Sequence, residues 1–259
     1  MATIIPIPAF ADNYIWLLRH GDRAAVVDPG DAQPVLAALE RDGLALTAVL
    51  ATHHHNDHVG GIAALADRYP GLAVFGPARE AIPRRTRALG EGDVVEVPGI
   101  GVTLRVLDIP GHTSGHIAYC GDVDGVSSLF CGDTLFAAGC GRIFEGTPDE
   151  MWASLSALSA LPPATRVYCG HEYTLANLRF AQAVEPDNGA LWDRQAQAQA
   201  LRDRGEPTLP STIGLEHATN PFLRAGRADV RAAAARHAGR PLASDVESFA
   251  ALRAWKNAF

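Results

Sequence analysis

Short apolar runs broken by glycine and proline fill the first half of the chain. Runs of about four to eight residues rich in β-branched and aromatic side chains are typical of strands. Here they are TIIPI, NYIWLL, AAVVD, LTAVLAT, LAVFG, DVVEVP, VTLRVLDI, HIAYC and VSSLFC. Residues 33–41 and 59–68 each follow such a run with helix-like spacing. The pattern predicts a layered α/β or α+β fold in which helices cover hairpin-rich sheet.

The pattern changes after about residue 174, where alanine, leucine and glutamine dominate. The segments LWDRQAQAQALRDRG and GRADVRAAAARHAG are helix-like and close on glycine, the residue typical of a helix C-terminus. Ser244 and Glu247 have the spacing of a capping box, which predicts a last helix that runs to the C-terminus. We therefore expect a mixed unit at residues 1–173 and a helical unit at residues 174–259.

Composition and charge narrow the classes of function. The 259 residues are 47% hydrophobic, and no apolar run approaches the roughly 18 residues that a membrane span requires. The formal charge of −7 disfavours nucleic acid, which is bound by clustered lysine and arginine. The N-terminal segment has no cation before Arg19 and carries two prolines, unlike a secretory or transit signal. We expect a cytoplasmic monomer that binds neither nucleic acid nor membrane.

The strongest chemical signal is the segment THHHNDH, which follows the run LTAVLA and precedes the next predicted helix. His53 and His55 are two residues apart, so their imidazoles point the same way on an extended segment. Asp57 and His58 then supply an oxygen and a nitrogen donor at the helix start. Such a density of imidazoles beside a carboxylate predicts a metal site, with one pair of ligands for each of two ions.

Three later segments each place a polar residue in a glycine-containing turn after a short apolar run. In the first segment either His112 or His116 could be a ligand. Each segment alone is as consistent with a hydrogen-bonded turn as with a metal site. The three segments are IPGHTSGH, FCGDT and YCGHE.

The four cysteines lack CxxC spacing, and Cys131 and Cys169 are interpreted as small buried thiols, not ligands.

Taken in order, the four segments resemble the HxHxDH, H, D and H pattern of the metallo-β-lactamase superfamily. The resemblance implies an αββα sandwich with a C-terminal helical domain, and two divalent metal ions. Nitrogen and oxygen donors without a thiolate suit zinc, with iron or manganese as alternatives. His116 then lies behind the ligands. The implied ligands are His53, His55 and His112 for the first metal, Asp57, His58 and His171 for the second, and Asp133 bridging both.

Further stretches resemble the glyoxalase II family within that superfamily. They are PGHTSGH, GCGRIFEGT, GHEYTLANLRFA, TNPFLR and the ending RAWK, and they extend over essentially the whole chain. The resemblance implies that a glutathione thioester is held by Arg142, Tyr173, Arg253 and Lys256. Arg142 stands where the mammalian form has a lysine, so the positive charge is kept. Phe144 stands where that form has a tyrosine, so a hydroxyl is missing.

The position of two of these cations on the last helix supports a binding role. At about 100° per residue, Arg253 and Lys256 fall on the helix side that carries Phe249, Leu252 and Trp255. This side is expected to face the body of the protein, where a cation requires an anion. Asp245 falls in the same arc, so an internal ion pair is the alternative to a substrate carboxylate.

The resemblance implies that a metal-activated hydroxide, oriented by Asp57 and Asp133, hydrolyses S-D-lactoylglutathione to D-lactate and glutathione. A glutathione persulfide dioxygenase with one iron shares the HxHxDH loop but lacks the helical C-terminal unit. Another thioesterase of the same fold and a pure binding protein are further alternatives. RNA-processing relatives are disfavoured by the acidic charge, and lactam-hydrolysing relatives by the lack of an export signal.

Overall fold

Two six-stranded mixed sheets pack face to face in a computed structural model that describes all 259 residues. The first sheet has the order β1-β2-β3-β4-β5-β6, and the second has the order β14-β13-β10-β9-β8-β7. A two-stranded hairpin, β11-β12, lies outside both sheets. The strands are β1 Ala2–Ala9, β2 Asn13–His20, β3 Arg23–Val27, β4 Ala45–Leu50, β5 Ala73–Pro77, β6 Arg87–Leu89, β7 Val94–Val97, β8 Val102–Asp108, β9 Ile117–Val123, β10 Val126–Gly132, β11 Leu135–Phe136, β12 Gly139–Cys140, β13 Arg166–Cys169 and β14 Ser211–Thr212.

Helices cover the outer face of each sheet, which completes the expected αββα sandwich, and the last five helices form a C-terminal helical region. None of the helices has both the length and the apolar character that crossing a bilayer would require. The helices are α1 Ala32–Asp42, α2 Asn56–Val59, α3 Ile62–Arg68, α4 Pro148–Ser159, α5 Thr174–Val184, α6 Gly189–Asp203, α7 Ile213–Thr219, α8 Ala228–Ala238 and α9 Asp245–Ala258.

Strand β2 shows why its sequence is a continuous apolar run. Tyr14 and Trp16 face the core between the sheets, whereas Ile15 and Leu17 face a second core under α1 and α3. Because successive side chains of a strand point to opposite faces, a strand buried on both faces has no polar positions. The apolar runs read from the sequence therefore become the inner strands of the sandwich.

The predicted helix at residues 59–68 is interrupted. The structure has a single turn, α2, then a break at Gly60 and Gly61, and then α3. A Cβ atom on Gly61 would lie 2.5 Å from the backbone nitrogen of Ala32, so the chain needs glycine for this close approach to the start of α1. The expectation of one continuous helix here was wrong because the spacing of apolar residues does not reveal that contact.

The C-terminal region is built into the second sheet. Strand β14 pairs antiparallel with β13, with Ser211 opposite Val167. Phe180, Phe222 and Phe249 of the helices belong to the same 45-residue core that fills the space between the sheets. The division of the chain at residue 173/174 therefore describes sequence and secondary structure, while the core is continuous across it.

The start of α9 differs in detail from the predicted capping box. The Ser244 hydroxyl accepts a hydrogen bond from the Glu247 backbone N–H at 3.1 Å, as expected. The Glu247 carboxylate accepts from the N–H of Ala243 at 3.0 Å, and not from that of Ser244. The Glu247 carboxylate also lies 3.3 Å from Arg240, and this ion pair holds it beside Ala243, one residue before the N-cap.

Candidate metal centre and substrate cavity

Four strands end at the same edge of the sandwich, and the chemical groups follow each of them. The loop after β4 carries the THHHNDH segment, and the turns after β8, β10 and β13 carry His112, Asp133 and His171. These positions are far apart in sequence but converge because each lies beyond the end of a buried strand. His53, His58, His112 and His171 are buried among the surrounding loops.

The first group of donors consists of His53, His55 and His112. His55 Nδ1 lies 3.1 Å from His53 Nε2 and 3.0 Å from His112 Nε2. Three nitrogens that converge at such short range can surround one cation, and the group satisfies the spacing expected of a metal site. The three residues expected at the first metal are therefore brought together.

The second group consists of Asp57, His58 and His171. Asp57 Oδ2 lies 3.6 Å from His58 Nε2 and 3.4 Å from His171 Nε2. Asp133 stands between the two groups: its Oδ2 is 3.5 Å from His112 Nε2 and 3.3 Å from His171 Nε2. Its other oxygen, Oδ1, is 3.3 Å from His58 Nε2. One carboxylate thus reaches donors of both groups, the position expected of a bridging ligand.

Two buried atoms show that this centre fits a cation. His58 Nε2 and Asp133 Oδ1 are shielded from solvent and have no hydrogen-bond partner. Although burial opposes protonation of His171, hydrogen bonds to Asp133 and Asp57 raise its pKa to about 10. The two carboxylates thus stabilise a positive charge in the space between them. A divalent ion bound there would supply that charge and would also coordinate the two unpaired atoms. The donors could hold metal ions.

Carboxylates behind the imidazoles fix which ring nitrogen faces the centre. A carboxylate can only accept, so His58 Nδ1 donates to Asp28 at 3.0 Å and His171 Nδ1 donates to Asp12 at 2.9 Å. His112 Nδ1 donates to the carbonyl of Arg142 at 2.8 Å. In each case the free Nε2 points at the centre, as metal coordination requires. Asp12 and Asp28 were not predicted from the sequence, where each is a single acid in an unrelated segment.

His116 lies behind the donors, as expected. Its ring stacks on His53 with centroids 4.5 Å apart. The backbone N–H of Asp133 donates to His116 Nε2 at 3.2 Å, so His116 carries its proton on Nδ1 and donates it to a backbone carbonyl. Cys131 and Cys169 are buried, and their thiols face backbone carbonyls.

Gly170 explains why a glycine precedes the last histidine. A Cβ atom at this position would lie 2.6 Å from the His58 ring and 2.7 Å from Asp133 Oδ1. Any side chain there would displace both donors. The glycine in the YCGHE segment is therefore a requirement of the centre, beyond its role in the turn.

A cavity of about 670 Å³ opens from this centre towards the C-terminal helices. His112 and Asp133 line its inner end, and all four residues expected to bind the substrate line its walls. The four are Arg142, Tyr173, Arg253 and Lys256. Arg179 of α5 lines the same cavity and was not predicted. The cavity therefore joins a candidate metal centre to a cationic wall.

The cations of α9 have no carboxylate partner in the protein. Asp245, the alternative partner considered for Arg253, pairs with Arg231 of α8. Arg253 is only 6% exposed, donates from Nη1 to the carbonyl of Cys140 at 2.8 Å, and leaves its buried Nε without a partner. Burial and then the charge of Arg253 lower the pKa of Lys256 to about 8. Neither cation is therefore neutralised by a carboxylate of the protein, although Lys256 also donates to the Ala176 carbonyl at 3.2 Å.

Two aromatic rings flank the entrance to the centre. Tyr173 stacks on His171 with centroids 4.7 Å apart and planes inclined by 5°. Phe144 is 62% exposed and has its ring edge-on to His55 and His112, at centroid distances of 5.7 and 5.3 Å. An exposed phenylalanine at this position offers an apolar contact to whatever occupies the cavity.

Fold and centre together define a protein of the metallo-β-lactamase class, and residues 10–171 match the family model described as the metallo-β-lactamase superfamily. Residues 172–259 match the model described as the hydroxyacylglutathione hydrolase C-terminus. The chain belongs to the hydroxyacylglutathione hydrolase family, a family of metallohydrolases, which confirms the resemblance read from the sequence.

Curated relatives match along the full length. A hydroxyacylglutathione hydrolase of Alkalilimnicola ehrlichii is 60% identical, with 99% of each chain covered. One of Cupriavidus taiwanensis is 55% identical, with 100% of each chain covered. Among solved structures, TTHA1623 in a di-iron-bound form is 30% identical with a TM-score of 0.60, covering 85% of this chain and all of its own. The fold and both parts of the chain are thus shared with known proteins.

Proposed function

We propose that the protein is a metal-dependent thioesterase that hydrolyses S-D-lactoylglutathione to D-lactate and glutathione. The observation that carries the proposal is the cavity that runs from the histidine and aspartate donors to Arg142, Arg253 and Lys256. A glutathione thioester has a reactive carbonyl at one end and peptide carboxylates at the other. The relatives named hydroxyacylglutathione hydrolase support this assignment.

His53, His55 and His112 would hold one divalent ion, and Asp57, His58 and His171 would hold the other, with Asp133 shared. Zinc suits these donors, and iron and manganese are the alternatives. The structure of TTHA1623 in a di-iron-bound form supports the proposal of two ions here. Bound ions would lower the pKa of a water from about 15.7 towards about 7 and polarise the thioester carbonyl.

The protein side chains orient the attacking water and the substrate. Asp57 and Asp133 accept hydrogen bonds from the attacking water and aim its lone pair at the carbonyl carbon. Tyr173 and the cations of the cavity wall hold the peptide so that the thioester lies beside the centre. The C–O bond forms by addition to the carbonyl carbon, and collapse of the tetrahedral adduct then breaks the C–S bond. Glutathione leaves as a thiolate, and the protons released by the water pass to solvent. A thiol pKa near 8.5 lets this thiolate leave without a strong general acid.

In this proposal residues 1–173 form the catalytic unit and residues 174–259 the substrate-binding unit. We expect a cytoplasmic monomer whose substrate is the small glutathione thioester. The match of residues 172–259 to the model of the hydroxyacylglutathione hydrolase C-terminus supports the thioesterase over the dioxygenase alternative.

The test is hydrolysis by purified protein whose metal content has been measured. Loss of thioester absorbance is followed with S-D-lactoylglutathione and with S-D-lactoyl-N-acetylcysteamine, which lacks the peptide carboxylates. Glutathione-selective turnover with two metals per chain is the expected result. Oxygen consumption with glutathione persulfide by a fully metallated sample, without thioester hydrolysis, would overturn the proposal in favour of a dioxygenase.

A further inference from the structure

The hairpin β11-β12 links two parts of the site. It begins two residues after Asp133 and ends two residues before Arg142, so its placement affects both the shared metal ligand and a cation of the cavity. The hairpin pairs only Leu135 with Cys140 and Phe136 with Gly139. Ala138 at its tip has φ +54°, a left-handed conformation that is strained for a residue other than glycine. So short a hairpin does not hold its own shape.

Side chains from the C-terminal helices bind the backbone of every residue from 136 to 140. Because polar backbone groups in a buried segment need partners, these contacts replace those that a longer ladder would provide. The Ala138 N–H donates to Glu216 Oε2 at 2.7 Å. The other bonds are Asn177 to the Ala137 carbonyl at 3.0 Å, Asn220 to the carbonyls of Phe136 at 3.2 Å and Gly139 at 2.9 Å, and Arg253 to the Cys140 carbonyl at 2.8 Å.

Glu216 is the centre of this arrangement. It is fully buried, and its Oε1 accepts from Arg194 at 2.6 Å and from the Ser211 hydroxyl. Its Oε2 accepts from the Ala138 N–H and, at 2.9 Å, from Asn220. A buried carboxylate satisfied on both oxygens is rigid, because any movement would leave a charge unpaired.

The opposite side of the hairpin touches the proposed metal ligands. The Phe136 ring lies edge-on to His171 at 5.9 Å and to Tyr173 at 5.3 Å. At the base, the Gly141 N–H donates to the Thr134 carbonyl at 3.1 Å, next to Asp133. A Cβ atom on Gly141 would lie 1.9 Å from the Asp133 carbonyl oxygen, so no slack exists between the two ends. Displacement of the tip is therefore transmitted to Asp133.

We propose that Glu216 and Asn220 are positioning residues for the metal centre, which they hold in register through the backbone of the β11-β12 hairpin. Asn220 belongs to the TNPFLR segment, whose first half otherwise has no role in the proposed function. The C-terminal region is then required for metal retention as well as for substrate binding. This inference rests on the bridging role proposed for Asp133.

The test compares variants of the full-length protein for metal retention without substrate. Asn220→Ala removes the bonds to Phe136 and Gly139, and Glu216→Gln removes the charge that pairs with Arg194. Glu185→Gln is the matched control, since it breaks another buried ion pair of the same region, with Arg224 at 2.7 Å, away from the hairpin. Each protein is loaded with zinc and dialysed against a chelator, and thermal unfolding is recorded in parallel.

Asn220→Ala and Glu216→Gln are expected to weaken metal retention by about tenfold relative to Glu185→Gln at matched loss of thermal stability. They should also lower kcat with S-D-lactoylglutathione more than they raise KM. If Glu216→Gln does not fold, Asn220→Ala decides. Metal retention equal to that of Glu185→Gln, with unchanged kcat, would show that the cluster only packs the core. A wild-type protein that retains two metals but hydrolyses no thioester would refute the proposed function and leave the retention comparison valid.

Discussion

All the imidazoles of the proposed metal centre except that of His55 are oriented by a hydrogen-bonding group behind them, and this explains how a loop rich in histidine becomes an ordered site. The Thr52 hydroxyl donates to Asp28 at 2.7 Å and accepts from His53 Nδ1 at 3.1 Å, while His58 donates to the same carboxylate. The burial of His53 lowers its pKa, which keeps it neutral and able to coordinate. Asp28 therefore sets two rings at once.

Asp133→Ala should remove the shared ligand. The substitution also leaves His58 and His171 without the carboxylate that lies 3.3 Å from each of them. We expect metal content to fall below two per chain and kcat to fall to about one per cent of wild type or less. Metal analysis and initial rates at saturating metal check this outcome. Two retained metals with near-normal kcat would refute the bridge.

Lys256 should make substrate capture dependent on pH. Its pKa of about 8 is below the ordinary lysine value, so the charged form is present below that pH and is lost as pH rises through it. We expect kcat/KM for S-D-lactoylglutathione to fall by about tenfold above pH 8, as one charge-assisted hydrogen bond is lost. Lys256→Arg stays charged and provides the control: its profile should be flat to about pH 9.5. If kcat/KM depends on pH in the same way for the wild type and for Lys256→Arg, a group other than Lys256 causes the fall.

Phe144→Tyr should improve binding. The ring is largely exposed at the cavity rim, so a hydroxyl there can reach the substrate without a desolvation penalty. One added hydrogen bond is expected to lower KM by about two- to tenfold and to leave kcat unchanged. Steady-state kinetics with S-D-lactoylglutathione measure the change. Phe144→Leu is the companion variant, and an equal KM for the tyrosine and leucine variants would show that the position makes no polar contact.

The donors could be predicted from the sequence because their pattern is local, whereas the groups behind them could not. Seven candidate ligands lie in four recognisable segments, and the structure brings all seven together. Asp12 and Asp28 are single acids in other segments, and only the sheet brings them near the imidazoles. A carboxylate at the end of a buried strand, as in AAVVD, was the one available signal. Arg179 had none, since an exposed helical arginine is commonplace.

At the scale of secondary-structure elements, the contribution of the N-cap of α9 to stability can be measured separately from catalysis. Ser244→Ala removes the hydrogen bond to the Glu247 N–H and should lower the free energy of unfolding by about 1 kcal/mol, or roughly 2–4 °C in Tm. Arg253 lies more than two turns further on, so kcat/KM should stay within about twofold of wild type. Ser156→Ala, an exposed serine inside α4, is the control and should leave Tm unchanged. An equal fall in Tm for both variants would show that the N-cap hydrogen bond makes no specific contribution to stability.

Element boundaries were predictable wherever one face or both faces of a strand are buried in regular alternation. Strands β1 to β5 follow the apolar runs to within a few residues. The break at Gly60 and the two-residue strands β11, β12 and β14 were missed, because contacts distant in sequence determine them. The hairpin β11-β12 is the clearest case, since the side chains that shape it come from residues 177–253.

At the scale of the whole molecule, the two halves of the sequence form one structure. The core between the sheets continues into the C-terminal helices, and β14 completes the second sheet. A region that contributes a strand and part of the core to its neighbour is not expected to unfold separately from it. The sequence predicted the helical content of this region but not its dependence on the first 173 residues, because amphipathic patterns do not show which surface they cover.

Unfolding of the full chain should therefore be a single transition when observed from either half. Trp16 is buried in β2 and donates to the Cys169 carbonyl, whereas Trp255 lies on α9 against Phe180. Variants in which Trp16 or Trp255 is the only tryptophan left of the four in the chain should give the same urea midpoint by fluorescence, and the same midpoint by circular dichroism. Metal-loaded and metal-free samples are compared separately, because a bound ion raises the midpoint of both probes together. An earlier midpoint at Trp255 would show that the helices detach first, and the hairpin that they support would then be expected to release its metal at that lower urea concentration.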